Sequence, residues 1–127
     1  MSNREAVPSD QDAPMAAFIR EESATGDILH VVGEVDLANV AEFESAAKAL
    51  ADQPIVLVDL TACTYMDSSG LRALAIVHKE AGNKLRVVVP RGGSVHRIFE
   101  ITGLAEQFNA CDSIEEALAK PPGHISR

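Results

Sequence analysis

Asp67-Ser68-Ser69-Gly70 sets a carboxylate and two hydroxyls directly ahead of the segment LRALAIVHKEAG. In that segment Leu71, Leu74, Ala75 and His78 recur with the period of a helix, and Gly82 closes it. A helix beginning at the serines points unsatisfied backbone N–H groups and the positive end of its dipole at whatever stands there. That environment suits a negative charge, so Ser68 is the hydroxyl best placed to carry a phosphoryl group. A plainer reading is compatible with it: Ser68 or Asp67 caps the helix, and Ser69 lies in its first turn. Asp36, ahead of LANVAEFESAAKALA, has the same two readings, helix N-cap or a part in binding or phosphotransfer. Arg91, beside Gly92-Gly93, is either a solvated turn residue or an anion ligand.

Other chemistries lack their residues. There is no G-x-x-x-x-G-K-[ST] for a nucleoside triphosphate and no G-x-G-x-x-G for a dinucleotide. Met66 to Gly70 is not the G-x-S-x-G of a nucleophile elbow, and no histidine is placed to act as its base. The acidic cluster and late lysine of an aspartate-phosphorylated receiver are not evident. His30, His78, His96 and His124 are scattered without metal-ligand spacing and read as structural or exposed. Cys63 and Cys111 form no C-x-x-C and read as buried structural thiols. No metal and no cofactor is expected.

The elements that must position these residues follow from hydrophobic pattern. Residues 1–14 have the composition of a solvated tail. Met15 to Glu22 and Asp27 to Val32 flank Ala24-Thr25-Gly26 as a hairpin, the second strand ending at Gly33. Residues 37–51 put Leu37, Val40, Phe43, Ala47 and Leu50 on one helical face, with Asp36 at the N-cap. Ile55 to Leu60 is nearly all aliphatic, as a strand covered on both faces should be. Lys84 to Val89 is the next strand. Val95, Ile98, Phe99 and Thr102 share one side of a helix ending at Gly103. A brief strand near Gln107 to Asn109 and a helix from Ser113 to Lys120 follow, and 121–127 is a frayed end. The β-α-β order predicts parallel neighbours joined by right-handed crossovers. The loops after the strands then gather at one sheet edge, bringing Asp36, Asp67, Ser68, Ser69, Arg91 and Ser94 into one neighbourhood.

At 127 residues the chain has room for one domain plus tails, placed at 15–120, and its 46% hydrophobic content is enough for a core. Nineteen acidic against eleven basic residues give a net charge of −8, which argues against nucleic acid and anionic membrane as partners and favours a basic protein surface. No apolar run is long enough to span a bilayer, and MSNREAVPSDQDAP lacks a signal-peptide centre, so a cytoplasmic protein is expected.

With those residues in view, Gly33-Glu34-Val35-Asp36, Val56-Leu57-Val58-Asp59-Leu60, Tyr65-Met66-Asp67-Ser68-Ser69-Gly70-Leu71 and Val95 to Leu104 closely resemble the STAS-domain anti-sigma-factor antagonists of bacteria. The resemblance runs from about Met15 to Ala119, and D-S-S-G-L after an aliphatic strand is its specific part. It implies a single α/β domain, a small mixed sheet with about four helices packed mostly on one face. It implies that Ser68 is phosphorylated by a cognate anti-sigma factor with serine kinase activity. The unphosphorylated form would bind that kinase and free the sigma factor, and a phosphoserine phosphatase would reset it. The protein would then be a substrate and not an enzyme. Its binding surface would comprise Asp36, Asp67, Ser68, Ser69, Gly70 and Arg91. Two further readings stand beside this one: a STAS subunit of a lipid-transport complex or signalling scaffold in which the serine is idle, and an enzyme or small-ligand sensor using the same loop edge.

Overall fold

The structure is a computed structural model and describes residues 16–119. The expected tails, and with them Met15, Lys120 and His124, lie outside the described residues. Strands β1 (Ala16–Glu21) and β2 (Ile28–Val35) form the expected hairpin, paired antiparallel from Ala16↔Gly33 to Glu21↔Ile28. Helix α1 (Val40–Lys48) leads to β3 (Val56–Asp59) and β4 (Cys63–Met66), then to α2 (Ser68–Ala81) and a 3-10 turn into β5 (Leu85–Val88). The chain continues through α3 (Ser94–Thr102), α4 (Leu104–Gln107), β6 (Ala110–Cys111) and α5 (Ile114–Ala119). The six-stranded sheet has the order β1-β2-β3-β5-β6, with β4 also on β2, and all pairs except β1/β2 are parallel.

Alternation along the strands divides the core between two faces. Leu29, Val31, Val35, Val56, Val58, Leu85 and Val87 pack with Phe43 and Ala47 of α1, Leu74 and Val77 of α2, and Val95 and Phe99 of α3. Ile28, Leu57 and Val88 project to the opposite face, where Cys111 and Ala117 join them, so α5 covers the sheet there. The continuous aliphatic run of β3 reflects this two-sided burial. Four helices thus lie on one face and the short α5 on the other.

Five local expectations are corrected. The second strand does not stop at Gly33: the backbone passes through it at φ +93°, the register shifts there, and Glu34 and Val35 go on to pair with β4. Cys63–Met66, which the hydrophobic pattern assigns to no element, is that partner strand. The first helix starts at Val40, so Leu37 is not on its buried face but 78% exposed. The brief strand lies later, at Ala110–Cys111, because Leu104–Gln107 forms an extra helical turn. On α2 the buried stripe is Gly70, Ala73, Leu74 and Val77, with Ala75 exposed, a rotation of the helix from the face its strongest apolar residues suggested.

Candidate functional site

The bend at Gly33 builds the site. Residues 28–30 of β2 pair with β3, and residues 33–35 pair with β4, so β2 and β4 end side by side. Asp67 N–H donates to the Val35 carbonyl at 3.1 Å and fastens the two strand ends together. Asp36-Leu37 leaves one strand and Asp67-Ser68 leaves the other, and the Leu37 backbone N–H faces the Asp67 carboxylate.

Asp67 is the N-cap of α2. Its Oδ1 accepts from the Ser69 hydroxyl at 2.5 Å, from Ser69 N–H at 2.9 Å and from Gly70 N–H at 3.3 Å. The Ser69 hydroxyl, chiefly, together with these backbone donors, holds the carboxyl below its ordinary pKa against a partial burial that pushes the other way. Ser68 is different. It is exposed, and its hydroxyl has no hydrogen-bond partner among the described residues. Capping therefore falls to Asp67, and Ser68 is left facing solvent.

Ser68 and Ser69 line a groove of about 370 Å³ between α1 and α2 with Leu37, Val40, Arg72 and Ile76. Glu44 on the α1 side is held by Lys48 at 2.9 Å. Apolar Leu37, Val40 and Ile76 and polar Ser68, Ser69 and Arg72 share its lining. Leu37 and Arg72 were not singled out from sequence. Leu37 was masked by an apolar spacing that fits a longer helix, and Arg72 by its ordinary place on a polar face; only its position one turn beyond Ser68 was available as a signal.

The remaining expected residues separate. Asp36 does not cap α1: its carboxylate accepts from Ala38 N–H at 3.0 Å, and Asn39 holds the N-cap position without a side-chain cap bond. Asn39 instead braces the turn, accepting from Asp36 N–H and donating to the Glu34 carbonyl at 2.9 Å. Gly70 is buried beneath the surface, where a Cβ would stand 2.4 Å from Met66 Cγ and 3.1 Å from Val35 Cγ1. It shapes the surface from below. Arg91 turns to the far side and pairs with Asp112 at 3.1 Å, while Ser94 donates to the Thr64 carbonyl at 2.9 Å and ties α3 to β4. Both cysteines are buried, and burial pushes the Cys63 thiol pKa up although the Tyr65 carbonyl accepts its S–H. Among the described residues no helix is long and apolar enough to cross a membrane.

Residues 20–117 match the STAS domain family. The chain belongs to the STAS domain family. As a STAS domain it is 34% identical over 94 residues to the anti-sigma-F factor antagonist RsfB of Mycobacterium tuberculosis, covering 72% of this chain and 77% of that protein. A crystal structure of an anti-sigma factor antagonist from Mycobacterium paratuberculosis superposes with a TM-score of 0.75 at 27% identity, covering 84% of this chain and 94% of the other. The domain is also 33% identical over 101 residues to a nicotinate-nucleotide–dimethylbenzimidazole phosphoribosyltransferase of Azotobacter vinelandii, matching 73% of this chain but only 27% of that longer protein. The six-stranded mixed sheet with helices mainly on one face is the architecture these STAS domain residues were expected to form.

Proposed function

We propose that this STAS domain is an anti-sigma factor antagonist controlled at Ser68. In its unphosphorylated form it binds an anti-sigma factor with serine kinase activity in the cytoplasm and releases the sigma factor. Transfer of the γ-phosphoryl group of ATP to Ser68 Oγ, giving ADP and a proton, switches binding off, and a phosphoserine phosphatase restores it by hydrolysis to serine and inorganic phosphate. The protein itself performs no catalysis.

The observation that carries this reading is the difference between adjacent serines: Ser69 is bound to Asp67, whereas Ser68 is exposed and unengaged and lines a groove with Leu37, Val40 and Ile76. A phosphate there adds a charge of about −1.5 to −2 beside the ionised Asp67 on a protein already at −8. No internal bond of the fold is lost, because the Ser68 hydroxyl makes none among the described residues. The charge acts outward, on whatever packs over the groove.

Calorimetric titration of the anti-sigma partner with unmodified and phosphorylated protein tests this, with intact-mass and peptide analysis locating the phosphate. The phosphorylated form should bind on the order of 10²-fold more weakly, with an unchanged circular dichroism spectrum. Ser68→Ala should bind and resist phosphorylation, and Ser68→Asp should bind weakly. Equal dissociation constants, or a phosphate found only on Ser69 or Ser94, would overturn the reading.

A further inference from the structure

A phosphate on Ser68 needs a counter-charge, and the end of α2 has little left to give. The N–H groups of Ser69 and Gly70 already point at the Asp67 carboxylate, and that of Leu71 at the Asp67 carbonyl at 3.2 Å. Asp67 is itself ionised next door and repels a second anion. Across the groove stands Glu44, neutralised by Lys48 but no donor to an anion. Arg72 is the cation on this wall: it is exposed, lines the same groove as Ser68, and has no ion pair among the described residues. It follows Ser68 by four residues within α2, so the two side chains stand one above the other on one helical face. The anion is on the N-terminal side of the cation, the more favourable order along a helix.

We propose that Arg72 is the built-in counter-cation of phosphorylated Ser68, closing over the phosphate as a guanidinium fork. This rests on the reading of Ser68 as the phosphorylated residue. Phosphorylation then alters the groove twice, adding a dianion at Ser68 and withdrawing the Arg72 guanidinium from the surface offered to a partner. A planar guanidinium can hold two phosphate oxygens at once, which the point charge of a lysine does less well.

The test installs phosphoserine at position 68 of the full chain by amber-codon suppression, so that no kinase has to be identified. The second ionisation of the phosphate is followed by 31P NMR. In the native chain its midpoint should lie about 0.3 pH unit lower than in Arg72→Ala, with Arg72→Lys in between, and the difference should shrink in 1 M salt, where screening is on the order of 3 Å. Thermal melting should agree: Arg72→Ala should lower Tm more in the phosphoserine form than in the unmodified form, whose unchanged circular dichroism establishes that the variant folds. An equal midpoint with and without Arg72, or an Arg72→Ala loss of Tm no larger in the phosphoserine form than in the unmodified form, would overturn the proposal. Failure of an anti-sigma kinase to modify Ser68 would instead count against the functional reading, and would leave this measurement intact.

Discussion

Ser69 Oγ lies 2.5 Å from Asp67 Oδ1, and that contact distinguishes two serines that are chemically alike and adjacent in sequence. With its hydroxyl donated to the cap, Ser69 is half-buried and committed to the start of α2. Ser68, one residue earlier, projects outward. Asp67 links these roles, holding the helix end, accepting from Ser69, and receiving the Leu37 N–H from the neighbouring strand end.

Replacing Asp67 by Ala should therefore loosen α2 at its first turn and release Ser69. The expected loss is about 5 °C in Tm at pH 7, with Asp67→Asn less affected. Since the folded carboxyl titrates below its ordinary value, its contribution is present above the unfolded pKa and is lost as pH falls through the folded one. Melting curves of the native chain and Asp67→Ala should converge as the pH is lowered below about 4; a constant difference down to acid would exclude the charged cap as the cause.

Gly70→Ala should destabilise through overpacking. The added Cβ meets Met66 Cγ at 2.4 Å, and Met66 is fully buried, so the helix or the methionine has to move. About 2 kcal/mol, or about 10 °C in Tm, is expected. Denaturant titration measures it, and Met66→Ala in the same chain should relieve part of the clash, a coupling that two independent defects would not show.

His30 joins three strands: its Nδ1 lies 2.8 Å from Asp59 Oδ2 and its Nε2 2.6 Å from Glu21 Oε1. Partial burial alone would lower its pKa, but the two carboxylates outweigh that and raise it above 6.5. A raised pKa means that the stabilisation is complete below about pH 6.5 and fades as pH rises through the folded value. Relative to His30→Gln, the native chain should be about 2–3 °C more stable at pH 5.5 and should lose that advantage by pH 9, a modest effect because the ring is only partly buried and its partner Glu21 is exposed. An advantage independent of pH would mean that His30 acts by packing alone.

Leu37→Asp should leave Tm within about 1 °C, since the side chain is 78% exposed, yet weaken anti-sigma binding by on the order of 10-fold or more. Titration calorimetry against the anti-sigma partner decides it, and unchanged affinity would remove Leu37 from the binding surface.

Much of this protein is decided by its sequence. The aliphatic run of β3, the glycine stops at Gly82 and Gly103 and the hairpin around Gly26 are local patterns with local causes, and they appear where expected. The start of α2 at Ser68 is likewise local, because Asp67 needs only the next three residues to cap it. What tertiary structure decides is every choice between locally equivalent options. Leu37 fits a helical period, but the turn from Asp36 to Asn39 delays α1 by three residues and turns it outward. Cys63–Met66 has no strong strand pattern and becomes a strand because β2, bent at Gly33, offers it an unpaired edge. Arg91 is expected beside the serines, but Asp112, the residue after β6 on the far edge, is its partner. Which serine faces solvent, and that Arg72 shares its groove, depend on the rotation of α2 about its axis. That rotation is fixed by the glycine at position 70, which lets the helix settle against Met66 and Val35.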